Sequence, residues 1–302
     1  MLQRIWNRLH KRFRKPKRYY DIDGFILDMG AHHLLSLYQE DCPMFARFIP
    51  YLGEIGQKVR PTGSVIVDLG ANVGDTAAAI IKHTNADLLC IEPTHAYYAL
   101  LKKNILLLDP QGSRIQTLQA FISEEKQGYQ ADVSGGGTAV QKASMNPEAP
   151  TLFLPEAIEQ CGISLESVCL IKTSTSGNDA RAVLSLGDAL DDMAPIFYIE
   201  TDMTMTGDTA VLSRQLDAYW RMDTYLEQKG YTCCFIFDNY GNFLCEGTPE
   251  TVKDIHRYMY QMALGKSNRT FYYVYLLLCR KEHEEICADT VKEYLKAYHG
   301  IV

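Results

Sequence analysis

Residues 67–76 read Val67-Asp68-Leu69-Gly70-Ala71-Asn72-Val73-Gly74-Asp75-Thr76: an apolar run that ends in an acid, then a glycine-rich turn leading into helix-forming sequence. Glycine at such a turn lets the backbone pass close to a ligand without a Cβ in the way. Strand ends beside a chain reversal are where open α/β sheets bind ligands. The spacing separates cofactors. A dinucleotide site needs G-x-G-x-x-G to wrap backbone N–H groups around a pyrophosphate. Here three residues separate Gly70 from Gly74, and Asp68 stands two residues before the first glycine. A carboxylate there would repel a pyrophosphate. It suits S-adenosylmethionine, which carries no phosphate and offers an amino-acid end, a sulfonium cation and a ribose. The next apolar run ends in Ile91-Glu92-Pro93, 18 residues past Gly74, where an acid can accept both ribose hydroxyls.

Outward from this motif, short apolar runs alternate with helical patterns. The runs are 64–69, 87–91, 115–121, 168–173 and 195–200, with helical patterns at 75–84, 95–108, 177–190 and 209–229. Near-continuous apolar strands separated by helices indicate a parallel sheet covered on both faces. Two further runs, 231–237 and 271–278, bring the expected count to seven strands. Upstream, a helix is expected around 43–58, its apolar face including Phe45, Phe48, Ile49 and Leu52. The segment 122–155, with Gly135-Gly136-Gly137 and several prolines, is expected to form a flap or small hairpin. The expected division is a basic amphipathic helix over 1–18, an extension over 19–60 and one α/β domain over 61–302.

The stretches VIVDLGANVGDTAAAI and LLCIEPTHAYYALLKKNI resemble the FkbM-type methyltransferase family. LQAFISEEKQG, GGGTAV, LIKTSTSGNDARAVLSL, IFYIET and GYTCCFIFDNYGNF follow in the same order, so the resemblance covers about residues 60–280. It implies a Rossmann-like class I methyltransferase fold and methyl transfer from S-adenosylmethionine to a hydroxyl, often on a sugar or polyketide. The residues expected to bind the cofactor are Asp68, Gly70, Asn72, Gly74, Glu92 and Ala120.

The pattern breaks at the fourth strand. Where the family reads like I-K-x-D-x-E-G, this chain has Ile171-Lys172-Thr173-Ser174-Thr175-Ser176-Gly177, with serine at both acid positions. A hydroxyl attacks better when a carboxylate or histidine takes its proton, and paired carboxylates could also hold a divalent metal. Serine does neither well. Glu200 and Asp202, at the end of the fifth strand, are the candidate replacements for the catalytic acids, with Asp179 a third; no metal ligand set is expected. The alternative is a chain that keeps the cofactor and has weakened chemistry. His95 reads as a surface histidine at a helix start. The aromatic residues Tyr258, Tyr260, Phe271, Tyr272, Tyr273 and Tyr275 could stack on a sugar, although core packing accounts for such residues as readily.

Composition bounds the rest. The chain has 302 residues, 47% of them hydrophobic, and a net charge of −7. Residues 1–18 hold eight Lys and Arg and no acid, so the remainder is more acidic still. An acidic body disfavours nucleic acid, because phosphate contacts need clustered Lys and Arg. The basic N-terminal stretch, with Leu2, Ile5, Trp6, Leu9 and Phe13 at helical spacing, reads as a possible peripheral contact with an anionic membrane. No apolar run reaches the ~18 residues that span a bilayer. Nine scattered cysteines without a C-x-x-C pair suit a reduced, cytosolic protein.

Overall fold

Side chains alternate between the two faces of a strand, and in this chain both faces of each central strand are apolar. Such strands are stable only in the middle of a layered domain. The computed structural model describes residues 15–31, 33–41, 43–132, 140–143, 147–203, 208–265 and 273–300. Residues 1–14 of the basic helix expected over 1–18, the three glycines 135–137 and the aromatics Phe271 and Tyr272 lie outside the described residues, as does the side chain of Phe45. Residues 15–18 are not helical.

The central sheet contains β3 (Val65–Leu69), β4 (Asp87–Ile91), β5 (Ile115–Leu118), β10 (Val168–Thr173), β11 (Ile196–Asp202), β12 (Tyr231–Asp238), β13 (Phe243–Gly247) and β14 (Tyr273–Arg280). Their order is β13-β12-β14-β11-β10-β3-β4-β5. From β11 through β10, β3 and β4 to β5 every pairing is parallel, and β14 inserts antiparallel between β11 and β12. This is a Rossmann-like class I methyltransferase fold with eight strands, one more than the seven expected. The extra strand is β13, an antiparallel edge partner of β12. Its sequence, Phe-Leu-Cys-Glu-Gly, lacks the apolar continuity of a buried strand because it lies at the edge, where Leu244 is exposed.

Two apolar layers cover the sheet. Phe48, Ile49 and Leu52 of helix Pro43–Val59 pack on one face with helices Asp75–His83, His95–Leu108 and Glu284–His299. Helices Leu154–Gln160, Asp179–Leu184, Thr209–Gln228 and Pro249–Gly265 cover the other. Two expected elements are broken. The helix expected over 177–190 stops at Leu184 and resumes as a 3-10 turn at Gly187–Ala189, where Gly187 takes φ +53. The strand expected over 115–121 leaves the sheet after Leu118, and Phe121–Ile122 (β6) pairs instead with Thr151–Leu152 (β9). Between them, β7 (Tyr129–Asp132) and β8 (Val140–Ala143) pair antiparallel within the irregular segment.

The extension before the sheet is ordered by specific bonds. β1 (Tyr19–Ile22) and β2 (Phe25–Asp28) are joined at Asp23-Gly24, both with positive φ, as a tight two-residue hairpin turn requires. Asn104 then ties this hairpin to the glycine turn. Its side chain accepts from the Asp28 backbone N–H at 2.9 Å and donates to the carbonyls of Asp28 and Val73 at 3.0 and 2.8 Å. Burial opposes charge on the Asp28 carboxylate, but bonds from Arg18, Lys103 and the Gly30 N–H outweigh it and lower the pKa to about 2. Among the described residues no helix is long and apolar enough to cross a membrane.

Candidate active site

The C-terminal ends of β3, β4, β5, β10 and β11 open on one edge of the sheet, the edge where ligands bind in open α/β folds. Gly70 follows β3 directly, and both its N–H and that of Ala71 donate to the Ile91 carbonyl, at 2.9 and 3.1 Å. Its φ is +77, and a Cβ there would lie 2.1 Å from the Ser174 carbonyl oxygen. Glycine is required twice over, by the backbone angle and by the approach of the β10 strand end. Gly70→Ala should therefore lower stability by at least about 2 kcal/mol, measured as a fall in the denaturation midpoint. An unchanged midpoint would show that the turn relaxes without cost. Asn72 also has positive φ, and Gly74, at φ +92, opens helix Asp75–His83.

Glu92 locks this turn. One carboxylate oxygen accepts from the Asn72 N–H and the other from the Thr94 N–H, each at 2.9 Å. The group is buried, and burial raises its pKa against the pull of those bonds. Each oxygen keeps a second lone pair, so the carboxylate can still accept two hydroxyls from a ligand. Ala120, just past β5, is buried in the same layer as Leu69 and Ile91. Asp68, Gly70, Asn72, Gly74, Glu92 and Ala120 thus gather along the ends of three adjacent strands.

Asp68 has a partner that the spacing did not reveal. Lys172, its register neighbour on β10, donates to Asp68 Oδ1 at 2.8 Å inside the core, while Oδ2 has no hydrogen-bond partner among the described residues. Burial works against the Lys172 charge, but Asp68, Asp75 and Glu200 outweigh it and the pKa is raised. Asp75, at the start of its helix, is pushed by burial up to about 6. A single lysine in the apolar run Val-Cys-Leu-Ile-Lys-Thr was the available signal, because a buried cation demands a carboxylate.

His33 was also missed as a site residue. The Leu35 N–H donates to its Nδ1 at 3.0 Å, which places the ring proton on Nε2, 2.8 Å from Asn72 Oδ1. Burial lowers its pKa, in keeping with this neutral tautomer. Its ring tilts against Tyr97 with centroids 4.9 Å apart. His95, by contrast, is exposed at its helix start.

The second half of the site lies at the ends of β10 and β11. Ser174 Oγ donates to Glu200 Oε2 at 2.9 Å, and the Tyr275 hydroxyl donates to the same oxygen at 2.7 Å. Burial, with Asp179 and Asp202 close by, pushes the Glu200 carboxyl up to about 8. Tyr198 stacks on Tyr275 at 4.8 Å with the rings 3° from parallel, and Tyr38 bonds the Tyr273 hydroxyl at 2.6 Å. Asp202 is buried at the end of the same strand, its N–H donating to the Tyr219 hydroxyl at 3.2 Å. Asp179 is occupied differently: its two oxygens accept the Thr175 and Gly177 N–H groups at 2.9 and 3.2 Å. It caps the turn that carries Ser176, a non-glycine residue at φ +58. Of the aromatic candidates, Tyr273 and Tyr275 reach this site. Tyr258 is exposed, and Tyr260 packs on the other face, its hydroxyl 3.1 Å from Ser213 Oγ.

No family model and no curated protein matches the chain. Among solved structures it is similar to the plantazolicin methyltransferase BpumL bound to S-adenosylhomocysteine, with 14% identity, 82% of this chain and 89% of that one covered, and TM-score 0.38. An O-methyltransferase from Bacillus cereus, also bound to S-adenosylhomocysteine, shows 8% identity, the same coverages and TM-score 0.43. Methyltransferase FkbM from Methylobacillus flagellatus shows 14% identity over 53% of this chain and 49% of that one, with TM-score 0.33. Likeness at this level carries no argument about chemistry, which rests on the geometry above.

Proposed function

We propose that the chain is an S-adenosylmethionine-dependent O-methyltransferase acting on a hydroxyl of a sugar or glycan-type acceptor. The observation that supports this most is the placement of Glu200, a buried carboxylate with two hydroxyl donors, on the strand edge that also carries the acid-led glycine turn. The residues at the turn fit the cofactor. Asp68 Oδ2 is a buried acceptor without a partner among the described residues, and Glu92 has lone pairs to spare. When bound, the cofactor supplies an electrophilic methyl group on a sulfonium. Glu92 would hold the ribose hydroxyls, and the Asn72–His33 contact would fix the turn beneath them. Glu200 would take the proton of the acceptor hydroxyl as the oxygen bonds to the methyl carbon. Ser174 and Tyr275 hold its carboxylate in one rotamer. The carboxylate lost from the fourth strand is thus supplied by the fifth.

Calorimetry with S-adenosylhomocysteine and with NAD tests the cofactor. The homocysteine product should bind and NAD should not; the reverse result would overturn the assignment. Glu92→Ala should weaken that binding by about 1–3 kcal/mol, the cost of leaving polar partners unmatched. Transfer of labelled methyl from the cofactor to a panel of glycans, with and without chelator, tests the acceptor class. Labelled product that disappears when the sugar hydroxyls are blocked is the expected result.

A further inference from the structure

The buried His33 joins the N-terminal extension to the glycine turn, and its two ring nitrogens have opposite duties. Nδ1 accepts the first N–H of helix Leu35–Asp41 at 3.0 Å, and Nε2 donates to Asn72 Oδ1 at 2.8 Å. Only a neutral ring with its proton on Nε2 satisfies both. A second proton would set Nδ1–H against the Leu35 N–H, donor against donor. Asn72 in turn gives its own N–H to Glu92 Oε2 at 2.9 Å. One chain of bonds therefore runs from the imidazole to the carboxylate assigned to the ribose. The φ of Asn72 is +50, a conformation that a non-glycine residue keeps where its contacts hold it.

The titratable groups around the ring are accounted for. Tyr97, on helix His95–Leu108, packs against it, and Glu92 lies close to that tyrosine. On helix Leu35–Asp41, Tyr38 bonds Tyr273 and Glu40 pairs with Lys17. Beyond the glycine turn, Asp68 and Asp75 act on Lys172. Among the described residues no ionised group bonds to the imidazole.

We infer that His33 is a positioning residue for the cofactor: its neutral ring holds Asn72 where Glu92 can present both oxygens to the ribose, and protonation of the ring releases that hold and weakens binding. This role rests on the cofactor assignment above and adds control of affinity by pH.

The test titrates S-adenosylhomocysteine calorimetrically into the full chain and into His33→Gln at about pH 8 and about pH 5, the span in which imidazole changes charge. Glutamine can give an N–H to Asn72 and accept one from Leu35, but it takes no proton. The parent Kd should rise about tenfold or more toward acid pH, and the rise in His33→Gln should be at least about threefold smaller. Glu92, raised by burial, also gains a proton toward acid pH. Its share is common to both proteins, so the difference between them reads the ring. Nitrogen NMR of the free chain gives a second readout. His33 should carry its proton on Nε2 at about pH 8 and be charged at about pH 5, with a shifted Asn72 side-chain amide. Equal rises in the two proteins, the opposite tautomer, or a ring still neutral at about pH 5 would overturn the role. If S-adenosylhomocysteine binds neither protein at either pH, the cofactor assignment falls and the role with it, a result distinct from equal rises.

Discussion

Glu200→Gln should lower turnover by about 10²–10⁴, the usual worth of a positioned base, and leave affinity for S-adenosylhomocysteine within about twofold. Glutamine keeps the shape and still accepts from Ser174 and Tyr275, but it cannot take a proton. The pH profile makes the test specific. Burial lifts this carboxyl to about 8, so the parent should gain activity as pH rises through 8, and the variant should lose that limb. Stability moves the opposite way. A carboxyl whose folded pKa lies above its ordinary value binds its proton more tightly when folded, so stability is lost as pH rises from about 4.5 to 8. The midpoint of the parent should therefore fall relative to Glu200→Gln above pH 8. A flat activity profile across that range, with full turnover in the variant, would remove Glu200 from the mechanism.

Lys172→Met should be the most damaging single change to the core. It leaves Asp68 charged and fully buried beside Asp75, with no cation between them. Breaking one side of a buried pair costs about 3–5 kcal/mol, which for a chain of this size lowers Tm by about 10 °C. The double variant Lys172→Met with Asp68→Leu should recover much of the loss, because a packed apolar pair replaces the ions without a stranded charge. Calorimetric unfolding of the three proteins decides it. A single variant as stable as the parent would mean that the Lys172–Asp68 pair does not hold this part of the core together.

The cofactor half of the site was legible in the sequence because its chemistry is local. Asp68, Gly70, Asn72 and Gly74 lie within seven consecutive residues, and Glu92 ends the next strand. Helix and strand spacing placed them at one edge, and the structure brings them together there. The catalytic half was legible only as candidates. Glu200 and Asp202 could be placed at a strand end, but Tyr275 arrives through an antiparallel strand inserted from 75 residues away, which no spacing rule indicates. Lys172 is a lone cation in a run whose other residues mark an ordinary buried strand. His33 carries no spacing signal, because its partner Asn72 lies 39 residues on. The eighth strand escaped because an edge strand needs only one apolar face.

The Tyr38 hydroxyl, near the beginning of the chain, meets the Asn239 carbonyl and the Tyr273 hydroxyl, the latter 235 residues later. β14 carries Tyr273 and Tyr275 and fills the gap between β11 and β12. During vectorial synthesis, the Tyr38 hydroxyl therefore leaves the ribosome long before its partner on β14. Domains generally fold as units as the chain is made, but here the unit closes only when residues past 273 are free. Until then the sheet is divided at β11 and Glu200 lacks one of its two donors. A nascent chain halted anywhere before β14 would hold the whole cofactor motif and still lack the completed site.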